Sequence, residues 1–134
     1  MNVIVDTAVW SLALRRHSPD QNQDIISQIQ DLIQSDRVLM LGAIRQEILS
    51  GIKNTEQFNR LRNALRAFPD LELYSEDYEK AAEFFNICRQ QGIQGSKTDF
   101  LICAVASRCN SLIFTTDQDF QNFQPHIPVH LFDR

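Results

Sequence analysis

Short apolar runs alternate along this chain with longer segments of helical period, and this alternation is its most constraining feature. Val3-Ile4-Val5 is a compact β-branched run, typical of a strand buried on both faces. Further strands are predicted over residues 38–41, 71–74, 112–114 and 127–132. Because helical segments separate the strands, we expect an α/β domain with a parallel sheet covered by helices on both faces.

The segments between the strands have the spacing of amphipathic helices. Apolar residues recur every three or four positions in residues 22–35 and form a wide stripe along one side. Helices are predicted over residues 8–15, 22–35, 43–50, 54–68, 76–91 and 98–109, with a short helix or turn over 117–123. Ligands of such sheets bind beyond the carboxyl ends of the strands, so polar residues at those ends are the candidate site.

Composition sets the class of protein and its expected location. The chain of 134 residues is 43% hydrophobic and 22% charged, which suits one domain over residues 1–134 without linkers or repeats. A net charge of −4 argues against broad non-specific binding to nucleic acids. No apolar stretch approaches the roughly 20 residues of a membrane span, and the three cysteines lack a CxxC spacing. We therefore expect a cytoplasmic protein without a membrane partner.

Four acidic residues occupy positions where this fold would place a site. Asp6 directly follows the first predicted strand, and Asp117 follows the strand at 112–114. Asp99 begins the buried stripe of the helix predicted over 98–109, and Glu47 borders the inward face of an earlier helix. Each acid alone has a structural explanation, such as a favourable charge in the first turn of a helix.

Together, the four acids indicate a cation. Carboxylates gathered at one edge of a sheet repel one another unless a positive charge neutralises them. Mg²⁺ prefers such oxygen ligands and takes only a few protein carboxylates. A carboxylate-held Mg²⁺ can activate water and stabilise negative charge during the hydrolysis of a phosphate ester.

The sequence resembles the PIN-domain ribonucleases, and specifically the small bacterial VapC-type toxins. The resemblance runs from residue 3 to 132 and is carried by VIVDT, AIRQEIL, TDFLICAVAS and LIFTTDQDF, with PVHLF closing the chain. It implies that the catalytic residues are Asp6, Glu47, Asp99 and Asp117, of which Asp6, Asp99 and Asp117 hold the metal. It further assigns supporting roles to two residues of the last acidic motif, Thr115 and Asp119.

The same resemblance implies the remaining features of the protein. These are a sheet of about five parallel strands and one metal-dependent active site per chain, with Mg²⁺ as cofactor and Mn²⁺ as its substitute. The implied activity is that of an endoribonuclease, which hydrolyses phosphodiester bonds in structured RNA as the toxin of a toxin–antitoxin pair. A homodimer and a cognate antitoxin protein are the implied partners besides RNA.

Two other kinds of α/β protein could carry acids at these positions. A receiver-like acidic α/β domain would have paired acids after its first strand, whereas Asp6 is followed by Thr7. A non-catalytic PIN-fold interaction module would lack some of the acids, and all four are present.

RNA reaching an acidic site needs basic residues that hold its phosphates. Candidates close in sequence to the acids are Arg15, Arg16, Arg45, Lys53 and Lys97.

Overall fold

The computed structural model describes residues 1–14 and 22–133. Three strands and seven helices lie in these ranges. In chain order they are β1 (Val3–Val5), α1 (Thr7–Ala13), α2 (Gln23–Gln34), β2 (Val38–Leu39), α3 (Gly42–Leu49), α4 (Thr55–Leu65), α5 (Ser75–Gln90), α6 (Lys97–Cys109), β3 (Leu112–Phe114) and α7 (Asp119–Phe123). The alternation of strands and helices predicted from the sequence is confirmed.

The sheet is parallel, with the strand order β2-β1-β3. The fully buried central strand β1 aligns Val3 with Val38 on one side and with Leu112 on the other. The chain leaves β1 towards one edge of the sheet and later returns to the opposite edge. Helices α1 and α2 belong to the first of these two crossovers, and α3 to α6 belong to the second. The strand order changes direction beside β1, and in such sheets a crevice opens there at the carboxyl ends of the strands.

The expectation of about five strands is wrong, since the sheet of the described ranges has three. The segment predicted at 127–132 contributes one isolated bridge, Ile113 to Leu131, whereas the other isolated bridge, Met40 to Asp70, lies just before the segment predicted at 71–74. The pairing at Met40 cannot extend, because α3 begins at Gly42, two residues later, and leaves no strand opposite residues 71–74. In the segment at 127–132, Pro128 carries no N–H and cannot donate to a ladder.

Helix boundaries differ from the predictions by a few residues. The helix predicted over 54–68 ends at Leu65, because a residue that precedes proline, here Phe68 before Pro69, disfavours helical backbone. The first helix begins at Thr7, and position 15, its predicted end, lies outside the described residues.

Helix α6 forms much of the core. Its residues from Phe100 to Ala106 are all buried, and it packs along α5 and against β3. Since this helix is fixed by burial on nearly every side, its first turn is held rigidly beside the carboxyl end of the sheet. None of the helices in the described part of the chain has the length and apolarity that crossing a membrane requires.

Candidate functional site

Asp6 lies at the carboxyl end of β1 and is 5% exposed. It is the N-cap of α1, where its Oδ1 accepts a hydrogen bond from the Thr7 N–H at 2.8 Å. Its Oδ2 accepts a second hydrogen bond from the Thr115 hydroxyl at 2.8 Å. Both carboxylate oxygens are therefore held, one by the helix that follows β1 and the other by the loop that follows β3.

The loop after β3 is organised by the side chains of the last acidic motif. The Thr115 hydroxyl that binds Asp6 also accepts a hydrogen bond from the Asp117 N–H at 2.9 Å. Asp117 in turn accepts from the Asp119 N–H at 2.9 Å through its Oδ1. These successive hydrogen bonds bring the acids of this loop to the carboxyl ends of β1 and β3.

Asp99 is fixed by the start of α6. It forms a capping box with Ser96: the Asp99 Oδ2 accepts from the Ser96 N–H at 3.1 Å, and the Asp99 N–H donates to the Ser96 hydroxyl at 3.0 Å. A serine three residues before an acid is a helix-start signal that the sequence itself contains. The half-buried Asp99 thus has a structural role in addition to its place in the site.

Glu47 reaches the site from the exposed side of α3. Its Oε1 accepts a hydrogen bond of 2.6 Å from the hydroxyl of Thr7, which is 40 positions away in the chain. Thr7 was not among the sequence-predicted site residues, and no local pattern could have indicated this contact.

The four predicted catalytic acids line one open groove of about 620 Å³. They come from four separate parts of the chain: the end of β1, helix α3, the start of α6 and the loop after β3. The lining residues are Asp6, Thr7, Ala8, Ala43, Gln46, Glu47, Ser50, Thr98, Asp99 and Asp117. The structure therefore brings together residues that lie up to 111 positions apart, since Asp6 and Asp117 share this groove.

Burial and mutual repulsion disfavour charge on Asp6 and Asp99. Burial raises the pKa of Asp6 to about 6, against the hydrogen bonds from Thr115 and Thr7, and the charges of Asp99 and Asp117 raise it further. Burial likewise raises the pKa of Asp99, where the charges of Asp117 and Glu47 act in the same direction and the hydrogen bonds to Ser96 oppose them. A cation in the groove would reverse this preference, because it stabilises the ionised carboxylates.

The carboxylate oxygens lie close enough to share a metal ion. Asp99, Asp117 and Asp119 each offer one oxygen, and these atoms are all within 4.8 Å of one another. An all-oxygen donor set suits a hard divalent cation, so the residues present fit the cofactor predicted from the sequence. Asp119, for which the sequence predicted a supporting role, is thereby near enough to act as a ligand.

The basic residues near the acids differ in their availability. Arg45 donates to Asp70 at 2.9 Å and to the carbonyls of Leu65 and Phe68, so its guanidinium secures the end of α4. Lys97 is the exposed first residue of α6, two positions before Asp99, and Lys53 is also exposed. Arg15 and Arg16 lie outside the described residues. Of the candidates that the structure describes, Lys53 and Lys97 are thus the two exposed cations, and Lys97 directly precedes Thr98 and Asp99, which line the groove.

Comparisons with known proteins agree with this architecture. The chain is similar to FitAcB from Neisseria gonorrhoeae (20% identity, TM-score 0.77, covering 98% of this chain and 96% of that one). It is also similar to VapBC2 from Rickettsia felis bound to a DNA fragment from their promoter (18% identity, TM-score 0.79, covering 100% of this chain and 99% of that one). A third similar structure is a toxin–antitoxin complex from Klebsiella pneumoniae (18% identity, TM-score 0.59, covering 89% of this chain and 90% of that one). A comparison with curated protein sequences gives no match.

At these identities the solved structures establish the fold alone. The family follows from the sequence, because residues 3–124 match the model of the PIN domain. This range includes β1, β3 and all four acids of the groove. The chain therefore belongs to the PIN domain family.

Proposed function

We propose that this protein is a metal-dependent endoribonuclease of the VapC type, which hydrolyses phosphodiester bonds in RNA and acts as the toxin of a toxin–antitoxin pair. The observation that carries the proposal is the convergence of four carboxylates on one open groove. Within residues 1–14 and 22–133, none of the four is paired with a basic side chain. Such a cluster costs free energy unless a cation joins it, so it points to a cation that is part of the function.

In this proposal Asp6, Asp99 and Asp117 hold the metal, and Asp119 is close enough to contribute an oxygen. Bound Mg²⁺, or Mn²⁺ in its place, would supply an activated water and stabilise the charge that develops on the phosphate. Thr115 orients Asp6 through its hydroxyl. The hydrogen bonds of Asp6 to two different elements preorganise its oxygens, which reduces the reorganisation required when a cation binds.

Glu47, like Asp6, lies outside the cluster of Asp99, Asp117 and Asp119 oxygens, but unlike the buried Asp6 it is exposed. We assign it to the substrate side of the groove. Its Oε1 is occupied by the Thr7 hydroxyl, and its second oxygen can accept a proton from the attacking water. A carboxylate held in a fixed position is suited to this work as a general base.

RNA must approach this acidic groove against the negative charge of the protein. Lys97, exposed at the start of α6, is the residue we assign to a phosphate contact beside the metal. A lysine contact of this kind contributes binding energy that depends on salt, because it releases counterions from the RNA.

The assembly is part of the same proposal. A similar structure is described as a toxin–antitoxin complex, and we propose that this chain likewise binds a cognate antitoxin, forms a homodimer and acts in the cytoplasm. The free cysteines Cys88, Cys103 and Cys109 agree with a reducing compartment. Production without the antitoxin should arrest growth, and light scattering should give twice the 15.5 kDa of one chain. Harmless production of an active enzyme would contradict the toxin assignment, and a monomer at tens of micromolar would contradict the dimer.

Cleavage of a panel of structured RNAs, with Mg²⁺ or with EDTA, tests the enzymatic proposal. We expect cleavage that depends on the metal and falls by at least about 100-fold in Asp99→Asn, since removing a transition-state charge contact costs several kcal/mol. Asparagine keeps an oxygen that can accept from Ser96, so the cap of α6 survives. Asp31→Asn, at an exposed position of α2, is the matched control.

Two results would contradict the proposal. One is cleavage that persists in EDTA, and the other is full activity in a carefully purified Asp99→Asn protein. RNA binding without any cleavage by the wild type would instead favour a non-catalytic PIN-fold module.

A further inference from the structure

We propose that Thr7 is a positioning residue, whose hydroxyl holds the Glu47 carboxylate in the groove and so fixes the fourth acid relative to Asp6. The catalytic consequence rests on the proposed nuclease function, whereas the contact itself and its effect on cation binding do not.

Thr7 joins two acids through two different groups. As the first residue of α1, it donates its backbone N–H to Asp6 Oδ1 at 2.8 Å. Its side-chain hydroxyl donates to Glu47 Oε1 at 2.6 Å. One residue thus connects the end of β1 with α3. A replacement at position 7 that removes the hydroxyl leaves the backbone contact to Asp6 in place.

Glu47 needs such an anchor because of where it lies. Helix α3 buries its neighbours Ile44 and Ile48, whereas Glu47 itself is exposed. Glu47 and Asp99 line the same groove, so their like charges repel each other. In the described ranges, the Thr7 hydroxyl is the one hydrogen-bond donor to Glu47. Without it, repulsion and rotamer freedom would both favour conformations that lead the carboxylate out of the groove.

The residue type matches this role. An O–H···O⁻ hydrogen bond of 2.6 Å falls in the short range that is typical of charged acceptors. The branched Cβ of threonine also restricts χ1, so the hydroxyl is already directed before Glu47 binds it. Serine would keep the donor and lose that restriction, and valine would keep the shape and lose the donor.

The test measures Mn²⁺ affinity and RNA cleavage in the same set of purified variants. Isothermal titration with Mn²⁺ alone gives the affinity of the acidic groove, and steady-state cleavage gives kcat and KM. We expect Thr7→Val to weaken Mn²⁺ binding about threefold, because the displaced Glu47 charge no longer attracts the cation from across the groove. It should lower kcat by about tenfold, the size of one typical hydrogen bond. KM for RNA should change less than about twofold, because Thr7 does not hold the substrate. Thr7→Ser should recover most of both losses.

A double-mutant cycle separates positioning from a general structural effect. In a Glu47→Gln background, Thr7→Val should cause little further loss, because the two residues act as one unit. Thr55→Val makes the same substitution at the first residue of α4, outside the groove, and should leave both measurements unchanged. Thr7→Ala is the second variant in case valine impairs folding.

Two results would overturn the inference. One is wild-type Mn²⁺ affinity and kcat in Thr7→Val and Thr7→Ala, and the other is a full additional loss in the Glu47→Gln background. If the wild type binds Mn²⁺ but cleaves no RNA, the nuclease proposal fails, and the Mn²⁺ affinities still decide the role of Thr7.

Discussion

Replacing Asp6 with asparagine should stabilise the metal-free protein at neutral pH, although it removes a residue of the proposed active site. The folded protein raises the pKa of this carboxyl from 3.8 to about 6, chiefly by burial. The ionised group is therefore less favourable in the folded state than in the unfolded chain. At about 1.4 kcal/mol for each tenfold change in proton affinity, this difference costs the fold about 3 kcal/mol at pH 7.

Asparagine removes the charge and keeps most of the contacts. Its amide oxygen can accept a hydrogen bond from the Thr7 N–H, and its amide nitrogen can donate one to the Thr115 hydroxyl. The hydroxyl oxygen has two lone pairs, so it can accept this bond as well as the one from the Asp117 N–H. Since the new hydrogen bonds are weaker than those to a carboxylate, the expected gain in the free energy of unfolding is about 1–3 kcal/mol.

The stability gained by Asp6→Asn should depend on pH. Because the folded pKa is raised, the folded state binds more protons than the unfolded chain between about pH 4 and 6. The wild type therefore loses its disadvantage as the pH falls through this window. The gain of Asp6→Asn should therefore be smaller by about 2 kcal/mol at pH 4.5 than at pH 7, and smaller by almost 3 kcal/mol at pH 3.

Urea unfolding in EDTA at pH 7.5, 6 and 4.5 measures this effect, with Asp31→Asn as the exposed control. Saturating Mn²⁺ should narrow the gap at pH 7.5, since a cation that binds the wild-type groove stabilises the folded state. A loss of stability in Asp6→Asn at pH 7.5 would refute the reasoning. So would a gain of the same size at all three pH values, because it could not arise from a titrating carboxyl.

Three further substitutions test other parts of the structure. Lys97→Ala should raise KM for RNA and leave kcat nearly unchanged. The slope of log affinity for RNA against log salt concentration should fall in magnitude by about one, and identical slopes in the two proteins would mean that Lys97 contacts only solvent. Arg108→Met should lower the free energy of unfolding in urea by about 2–3 kcal/mol without slowing cleavage. The Asp77 carboxylate is 2% exposed and lies 2.6 Å from the Arg108 Nε, so the substitution leaves a buried charge without its partner. Wild-type stability in this variant would refute the prediction. Gly95→Ala should cost about 1–3 kcal/mol in the same assay, since a Cβ there would lie 2.5 Å from the Phe123 ring; an unchanged midpoint would show that the ring moves aside freely.

Much of the architecture could be predicted from the sequence because its signals are local. The apolar run ending at Asp6 identifies a strand and its carboxyl end from neighbouring residues alone. The order of the four acids, each beside a predicted strand end or helix face, placed them at one edge of the sheet. Even the cap that holds Asp99 can be read from the serine three positions earlier.

The rest depended on contacts between residues far apart in the chain, which local patterns do not encode. Whether the segment at 71–74 joins the sheet was decided by α3, which begins two residues after Met40 and leaves no strand for the segment to pair with. Arg45 resembled a phosphate-binding residue until the fold placed carbonyls of α4 and its following turn around its guanidinium. The link between Thr7 and Glu47 spans 40 positions. The contact exists because packing brings α1 and α3 together. The distance in space between these two helices is a property of the tertiary structure alone.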